Sequence, residues 1–458
     1  MFMAYSIIQK SQLEGAKRLD AEYYQPEYLG LENTFSQSRT EKIIDLTDFV
    51  KKGIFDLSPD NYTESGVPFV RVQNIKNGFL DEENLVSIPD QVHNKEKKTE
   101  LRPLDIILSK VGTVGEISVV PSRYSKANFS QNVIGLKVKA ERIPKGFLAL
   151  FLLSKLGQLQ IARANMLQVQ AKLELKDIRD LLIVRLSKEE EIYFHEELLK
   201  IEELFEESKS LYSKAEKMLL DEVGVKKDVS DYPAYSVVNF SEVKKAGRMD
   251  AEYFQNRFGE LIAVTDYPVK PLGEFVDIKK GFEPGSEAYE ESGKLFIRVS
   301  SLSKEGITDK DQKYLNEKLF SELKANFQPK KGEILLTKDA TPGIAYVLKE
   351  PIEGIISGGV VRLKVKEGMD PEYLALCINS IFGQLQVDRY AGGSIIKHWK
   401  LEQIKKIFIP IVPLKIQQKI AEMVRESHTA RAKAKQLLEI AKRGVEMAIE
   451  KDKKEAEQ

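Results

Sequence analysis

The chain has 458 residues, 42% of them hydrophobic and 31% charged, and 70 Lys+Arg balance 70 Asp+Glu. This length is about three times that of a common domain, so we expect at least two globular domains. The zero formal net charge argues against a basic DNA-binding protein that acts alone. A balanced total can hide a basic face, or partners can supply the positive charge. A single cysteine excludes an intrachain disulfide and fits a reducing cytosol, and the four histidines are too far apart in sequence for a zinc site.

The first residues show no signal-peptide pattern, and the longest central apolar run, 147–153, is far shorter than the roughly 20 residues of a membrane span. We therefore expect a cytoplasmic protein whose apolar runs form a core.

The most informative feature is an internal duplication. Residues 5–25 and 235–255 are identical at ten of 21 positions at a constant offset of 230. Later segments match at offsets that fall only to 226, as in FVRVQNI (69–75) with FIRVSSL (296–302). A period this long indicates duplication of a whole unit and predicts internal pseudo-twofold symmetry.

Each copy is predicted to contain the same elements in the same order. Short β-branched runs bounded by Gly, Pro, Asn and Asp predict strands. One helix follows them in each copy, around 145–164 and 371–390, and an apolar strand then closes each block, at 181–184 and 407–412. We therefore expect two mixed α/β domains.

A long helix ends each copy. Apolar residues recur at heptad-like spacing over 188–222 and 414–450, and about 35 helical residues extend roughly 50 Å. Ser187 with Glu190 predicts a capping box. The acidic start of the first helix and the basic end of the second favour antiparallel pairing, with packing of each helix on its own domain as the alternative. The tail, 451–458, is expected to fray.

No catalytic motif is present in the sequence. The glycine pair of VGTVG (111–115) completes no nucleotide-binding pattern, and DPEY (370–373) is not the motif of an amino-methyltransferase. Cys377 lies in an apolar helix, where a core role is more common than a nucleophilic one. The sequence predicts a binding protein rather than an enzyme, with no bound cofactor and no metal.

The candidate binding residues occupy equivalent places in the two copies. SKVGT (109–113) and TKDAT (337–341) combine hydroxyls, a lysine and backbone amides, which suit phosphate contacts, although a solvated turn is the alternative. Equivalent strands carry one arginine each, and the basic loop HNKEKK (93–98) occurs only in the first copy. The predicted DNA-contacting residues are Ser109, Lys110, Thr113, Thr337, Lys338, Thr341, Arg71, Arg298, Lys97 and Lys98.

A duplicated α/β block plus long helix, without catalytic motifs, resembles the specificity subunit of type I restriction–modification systems. The resemblance covers essentially the whole chain and is carried by RLDAEYYQPEY (18–28), by the paired strand–turn–strand segments (105–120 and 332–348), and by the exit into the second long helix (393–424). The first copy departs from the family at RLSKEEEI (185–192), where a proline stretch is usual. Each motif is degenerate alone, but their order, found twice, is specific.

The resemblance implies an α/β (α+β) architecture of two pseudo-twofold-related target recognition domains separated by two long antiparallel coiled-coil helices. Its segments would be an opening repeat (1–40), recognition domain 1 (41–187), spacer helix 1 (188–223), a linker with Gly224 and the second repeat (224–268), recognition domain 2 (269–412) and spacer helix 2 with the tail (413–458).

The resemblance also implies partners. Each recognition domain would read one half of an asymmetric, split site in double-stranded DNA, with half-sites about one helical turn, ~34 Å, apart. The helices would act as a ruler and dock two DNA-methyltransferase (modification) subunits, which restriction (motor–nuclease) subunits join for cleavage. S-adenosylmethionine, ATP and Mg would bind only to those partners.

Two alternatives remain at this point. One is a DNA-targeting subunit of another phage-defence or orphan methylation system, and the other is a coiled-coil adaptor that binds protein instead of DNA. The symmetry further predicts that the opening segments dock at the ends of the long helices through Ile7, Ile8 and Leu13 in the first copy and Val237, Val238 and Val243 in the second.

Overall fold

The structure is a computed structural model that describes residues 6–11, 13, 19–76, 78–165, 172–225, 235–255, 265, 267–308, 312–391 and 397–457. The predicted linker, 228–234, lies outside these residues. The chain divides into two units, one formed by residues 1–206 with 431–458 and the other by 207–430. Each unit contains one α/β block and one part of each long helix.

The α/β block of the first unit is built on two sheets. Among the described residues the larger sheet has five strands, and its central strand Ile106–Ser109 is antiparallel to both neighbours. All four residues of that strand are buried, as its continuous apolar run indicates. A further antiparallel pair, Thr40–Lys42 with Leu182–Val184, joins the start of the block to its end. The larger sheet runs Thr47–Lys52, Val133–Val138, Ile106–Ser109, Ile117–Val119, Gly78–Phe79, and the smaller runs Val86–Ile88, Val67–Val70, Asn128–Phe129.

The first unit also contains the first long helix, Lys188–Glu222, up to Glu206. The other α-helices described there are Pro26–Ser36, Ile43–Leu46, Asp90–Lys95, Lys145–Leu153, Lys155–Asn165 and Leu175–Asp180. Short 3-10 turns occur at Ala21–Tyr24, Pro59–Asn61, Val72–Asn74 and Lys97–Thr99.

The second unit repeats this plan. Within the residues described there, a four-stranded sheet again has its central strands antiparallel to their neighbours. Its strands run Val276–Lys280, Val360–Val365, Ile334–Thr337, Ala345–Val347, and a smaller sheet runs Lys313–Leu315, Lys294–Ile297, Gly354–Ile356. Further strand pairs are Leu302–Ser303 with Gly306–Ile307, Asp339–Ala340 with Lys397–His398, and Val269–Pro271 with Phe408–Pro410.

The second unit contains the second long helix, Leu414–Glu457, up to Ala430. The other α-helices described there are Phe240–Ala246, Glu317–Phe327, Pro371–Asn379, Ile381–Tyr390 and Leu401–Ile404. The 3-10 turns are Ala251–Phe254, Leu272–Glu274, Ser286–Ala288 and Val299–Ser301. The second long helix continues past residue 450, so the prediction of a frayed tail is wrong over 451–457, where Lys, Glu and Ala favour helix.

The prediction of a single helix in each block is also wrong. In each block the predicted helix is two helices separated by one serine. In the first copy the Ser154 hydroxyl donates to the Phe151 carbonyl at 2.6 Å and stops the first helix. Ser380 does the same with Cys377 at 2.9 Å. A glycine three residues later, Gly157, lets the second helix pack against the backbone of Leu152, since a Cβ there would lie 2.5 Å from it.

These bent helix pairs are core elements. Within the described residues no single helix is long and apolar enough to cross a membrane, and the one bent pair that passes by length and composition is Lys145–Leu153 with Lys155–Asn165. Residues 146–153 of that pair are buried in the first unit, in the same core cluster as its larger sheet.

The two long helices pair antiparallel within each unit. In the first unit the aromatic ring of Phe205 lies 5.5 Å from the Arg431 guanidinium, while Phe194, earlier on the first helix, packs beside Gly444, later on the second. In the second unit Ser208 and Ser427 are buried together, and the Ser427 hydroxyl donates to the Ser208 carbonyl at 2.7 Å.

Several acidic residues of the first long helix contact the α/β block. The buried carboxylate of Glu202 accepts hydrogen bonds from the Ser122 amide at 2.5 Å and the Ser122 hydroxyl at 2.6 Å. Glu206 pairs with Arg123 of the same turn. Acidic residues that the sequence assigned to helix pairing therefore also attach the block to the first helix, and the seam between the helices is lined by apolar side chains such as Leu198 and Ala441.

The opening segments dock on their own blocks through one arginine each. In the first unit the Arg163 side chain donates to the Tyr23 carbonyl at 3.2 Å, lies 3.8 Å from the Tyr23 ring and pairs with Glu32 at 2.7 Å. In the second unit Arg389 repeats this with Tyr253, at 3.2 Å to the carbonyl and 4.6 Å to the ring.

The predicted docking through the apolar residues is wrong at three positions. Ile7 is 89% exposed, Val237 90% and Val238 36%, so none of these side chains is buried against a long helix. The arginine contacts explain the difference, because they hold each segment by its polar tyrosine-containing part.

We predict that Arg163→Ala lowers the free energy of unfolding of the first unit by about 2 kcal/mol, because it removes a largely buried, charge-assisted hydrogen bond, an ion pair and a cation–π contact together. Urea unfolding of the full chain measures the change. Arg39→Ala is the matched control, since Arg39 is 77% exposed and pairs with Glu41 at 3.8 Å, and it should have an effect below about 0.5 kcal/mol. Equal effects of the two substitutions would contradict the docking role.

Candidate nucleic-acid interface

The turn at 109–113 is shaped by the hydroxyl of Ser109. This hydroxyl donates to the Thr113 carbonyl and accepts from the Glu116 amide at 2.9 Å. In the second copy the Thr337 hydroxyl donates to the Thr341 carbonyl at 2.6 Å and accepts from the Ile344 amide at 2.9 Å. The same bonds close the same turn in both units.

Two of the predicted phosphate contacts are therefore wrong. Ser109 and Thr337 have no exposed surface, and their hydroxyls are used within the turn. A buried hydroxyl cannot reach a phosphate, so these residues position the turn instead. Thr113 and Thr341 lie at its exposed tip, where Thr113 donates to Glu116 at 2.8 Å.

Lys110 lies in a group of cations in the first unit. Its pKa is lowered to about 8, chiefly by burial and also by the neighbouring ammonium groups of Lys52 and Lys172, with Glu174 acting in the opposite direction. Lys52 and Lys172 are exposed. Like charges held this closely repel, and an anion placed among them would relieve the repulsion, so this lysine group (Lys52, Lys110, Lys172) is suited to a phosphate.

The equivalent group in the second unit contains its own counterion. Lys338 pairs with Asp339 at 2.5 Å, and the other oxygen of Asp339 lies 2.8 Å from His398 Nδ1. The backbone is the same in both copies, because Leu173 donates to the Lys110 carbonyl at 3.1 Å and Trp399 to the Lys338 carbonyl at 2.8 Å. The carboxylate of Asp339 and the replacement of Lys172 by His398 thus distinguish the two electrostatic environments.

Arg71 and Arg298 are held by aromatic rings. The Arg71 guanidinium lies 5.3 Å from the Tyr62 ring and donates to the Asn84 carbonyl at 2.6 Å. Arg298 lies 5.9 Å from Tyr289. Sequence reasoning missed the tyrosines, although the signal was present: YTESGVPFVRV (62–72) and YEESGKLFIRV (289–299) share tyrosine, ESG, phenylalanine and arginine at the same spacing.

The basic segment of the first copy, 93–98, is not the predicted loop, because it covers the end of the helix Asp90–Lys95 and the start of the 3-10 turn Lys97–Thr99. Lys97 and Lys98 are exposed, and Lys98 pairs with Glu96 at 3.1 Å. Beneath them His93 Nε2 lies 2.9 Å from the Glu100 carboxylate. Burial favours a raised pKa for Glu100, but the hydrogen bond from His93 and the charge of Arg102 hold that pKa below its usual value.

No group of three or more metal-ligating side chains occurs in the part of the chain that the structure describes. Instead, each copy presents a basic turn at the equivalent position of the repeated α/β block. This arrangement is typical of a duplicated binding protein.

The chain belongs to the family of type I restriction–modification DNA specificity domains, whose model matches residues 37–185 and 265–439. Members of this family provide the DNA specificity of type I restriction–modification enzymes and are not the catalytic subunits of those enzymes.

Among curated proteins, the specificity subunit of the type I restriction enzyme EcoBI from Escherichia coli is 26% identical over 149 residues. The match covers 32% of this chain and spans 31% of the length of that relative.

Among solved structures, the type I restriction–modification S subunit from M. genitalium is 16% identical, with a TM-score of 0.40 over 90% of this chain and 94% of that one. The HsdS subunit from Thermoanaerobacter tengcongensis is 14% identical, with a TM-score of 0.29 over 90% and 95% of the two chains.

We predict that DNA affinity falls by about 10-fold between pH 7 and pH 9, because Lys110 must take up a proton to bind phosphate once the pH exceeds its pKa of about 8. Binding of a duplex to the full chain, measured by fluorescence anisotropy at constant ionic strength, tests this. Lys110→Arg keeps the charge at both pH values and should flatten the profile. An equally steep profile in that variant would contradict the assignment.

Proposed function

We propose that the chain is the sequence-reading subunit of a type I restriction–modification complex, in which each α/β block reads one half of an asymmetric, two-part site in double-stranded DNA. The observation that carries the proposal is that family membership coincides with two copies of one block whose basic turns share a backbone and differ in side chains. One scaffold with two sets of surface groups suits two different half-sites.

The exposed or half-exposed members of the predicted set are retained as proposed phosphate contacts, and they are Thr113, Lys338, Thr341, Arg71, Arg298, Lys97 and Lys98. Lys110 is also retained, although it is buried, because the exposed Lys52 and Lys172 lie beside it; these two lysines are added to the set. These cations and hydroxyls would fix the position of the duplex without reading its sequence.

The long helices would dock two modification subunits. Exposed apolar side chains on them support this, because such side chains on a charged helix surface favour burial against a partner. In the first unit Tyr193 is 56% exposed, Ile440 55% and Met447 69%. S-adenosylmethionine, ATP and Mg would remain on the modification and restriction subunits.

We predict that exchanging residues 40–187 for the equivalent block of a homologue changes one half of the methylated motif and leaves the other half intact. These junctions keep the strand pair Thr40–Lys42 and Leu182–Val184 together. Methylome sequencing of a host that carries the chimera with its modification partner is the measurement. The matched control exchanges 269–412 and should alter only the other half, so a change in both halves, or in neither, would count against two independent readers.

We also predict that removing one matched heptad from each long helix, 207–213 and 422–428, narrows the unread gap between the half-sites by about three base pairs. Seven residues span roughly 10 Å of helix, and one base-pair step of B-DNA rises about 3.4 Å. The methylated motif again reports the result. The control is a substitution without deletion, Glu203→Ala on the exposed helix surface, which should leave the gap as it is. An unchanged gap in the deletion variant would show that the length of the helices does not set the separation of the half-sites.

A further inference from the structure

A cleft of about 300 Å³ opens on the first unit where two loops of its block meet. One loop follows the strand Val67–Val70, and the other, 130–132, precedes the strand Val133–Val138. Tyr62, Phe69 and Arg71 line its inner part, and the side of the second loop is lined by Ser130, Gln131 and Asn132.

The inner residues of this cleft recur in the second unit with the same geometry. Tyr62 and Phe69 stack at 5.7 Å and 37°, and Tyr289 and Phe296 stack at 5.5 Å and 38°. The arginine beside each tyrosine also recurs, as does the serine that begins the second loop, Ser130 and Ser357. We call these residues the frame.

The outer residues, which we call the rim, differ at every amide position. The first unit has Gln73, Gln131 and Asn132, whereas the second has Ser300, Gly358 and Gly359 at the equivalent positions. Gln73 and Asn132 are exposed, and Gln131 is half-exposed. Because the two copies keep the frame and change the rim, we distinguish the residues that build the cleft from those that could give it selectivity.

Local contacts favour glycine at two of the equivalent rim positions of the second unit, Gly358 and Gly359. A Cβ on Gly358 would lie 2.5 Å from a carboxylate oxygen of Glu283, which accepts a hydrogen bond from the Gly358 amide at 3.1 Å. A Cβ on Gly359 would lie 2.8 Å from the Val299 side chain. The rim of the first unit therefore presents side-chain amides, whereas the equivalent place in the second unit is bordered by the exposed carboxylate of Glu283.

The rim is hydrogen-bonded to the two turns, 109–113 and 337–341, that contain proposed phosphate contacts. The Lys110 amide donates to the Asn132 carbonyl at 3.1 Å, and the Lys338 amide donates to the Gly359 carbonyl at 2.9 Å. A group that binds the DNA backbone and a group that reads the adjacent base edge need such a fixed spacing, since the backbone contacts set the register for reading.

The chemistry of the rim suggests what each unit reads. A side-chain amide has an NH2 group that donates and a carbonyl oxygen that accepts, which together match the N7 and N6 edge of adenine in the major groove. An ionised carboxylate only accepts and matches the N4 amino group of cytosine. We propose that the rim residues Gln73, Gln131 and Asn132 read base edges including an adenine for the first unit, and that Glu283 reads a base edge, that of a cytosine, for the second. This inference rests on the proposed function and assigns it to particular side chains.

The test is selection of bound duplexes from a randomised-sequence pool by the full chain in complex with its modification partner. Gln131→Glu is nearly isosteric and removes the amide donor, so it should change the preferred base at a position of one half-site by about 5- to 150-fold and leave the other half-site unchanged. Gln91→Glu is the matched control, because Gln91 is exposed on the helix Asp90–Lys95 and does not line the cleft. Glu283→Gln should act reciprocally, on the other half-site alone.

Three results would overturn the inference. The first is an unchanged motif in both variants. The second is an equal weakening of binding to all duplexes, which indicates a charge effect without base recognition. The third is the same change of motif in the Gln91→Glu control. Thermal unfolding of each complex confirms that the surface substitutions leave the fold intact. A wild-type complex that selects no sequence would instead overturn the proposed function, so the two failures are distinguishable.

Discussion

The packing of one buried helix against both a sheet and a long helix is the constraint on which each unit depends. In the first unit the Phe147 ring lies 6.2 Å from Phe194 of the first long helix, and in the second the equivalent Tyr373 is buried with its hydroxyl donating to the Pro410 carbonyl at 2.9 Å. Burying a large side chain contributes on the order of 2 kcal/mol. Since sheet, helix and long-helix segments share one core, the block cannot shift on its own helices without opening that core.

This shared core explains why duplication is compatible with two different binding surfaces. The core, the serine break after each buried helix and the hydroxyl that closes each turn are repeated, because changing them would expose apolar surface or leave a buried polar group without a partner. The rim residues are exposed or half-exposed and carry no such cost. Surface positions are therefore where the two copies have diverged, as at Gln131 and Gly358.

The sequence predicted the repeated α/β plan and both long helices because these follow from local patterns of apolar residues. It did not predict the break at Ser154, since one serine in an apolar run signals nothing until the Gly157 contact is known. It also chose Ser109 and Thr337 as ligands, because a hydroxyl in a turn looks the same in sequence whether it faces solvent or closes the turn. Tyr62 was missed for a related reason: its value lies in its contact with Arg71, nine residues away.

Net charge was a poor guide for a physical reason. A formal charge of zero averages over the chain, whereas an anion responds to the potential within about 10 Å, the screening length near 0.1 M salt. In the first unit Lys52, Lys110 and Lys172 repel one another, and part of that repulsion is relieved when a phosphate enters. In the second unit Asp339 has already neutralised Lys338, so a phosphate there must compete with a carboxylate. Under the proposed function, the first block would thus gain more from charge on binding DNA than the second.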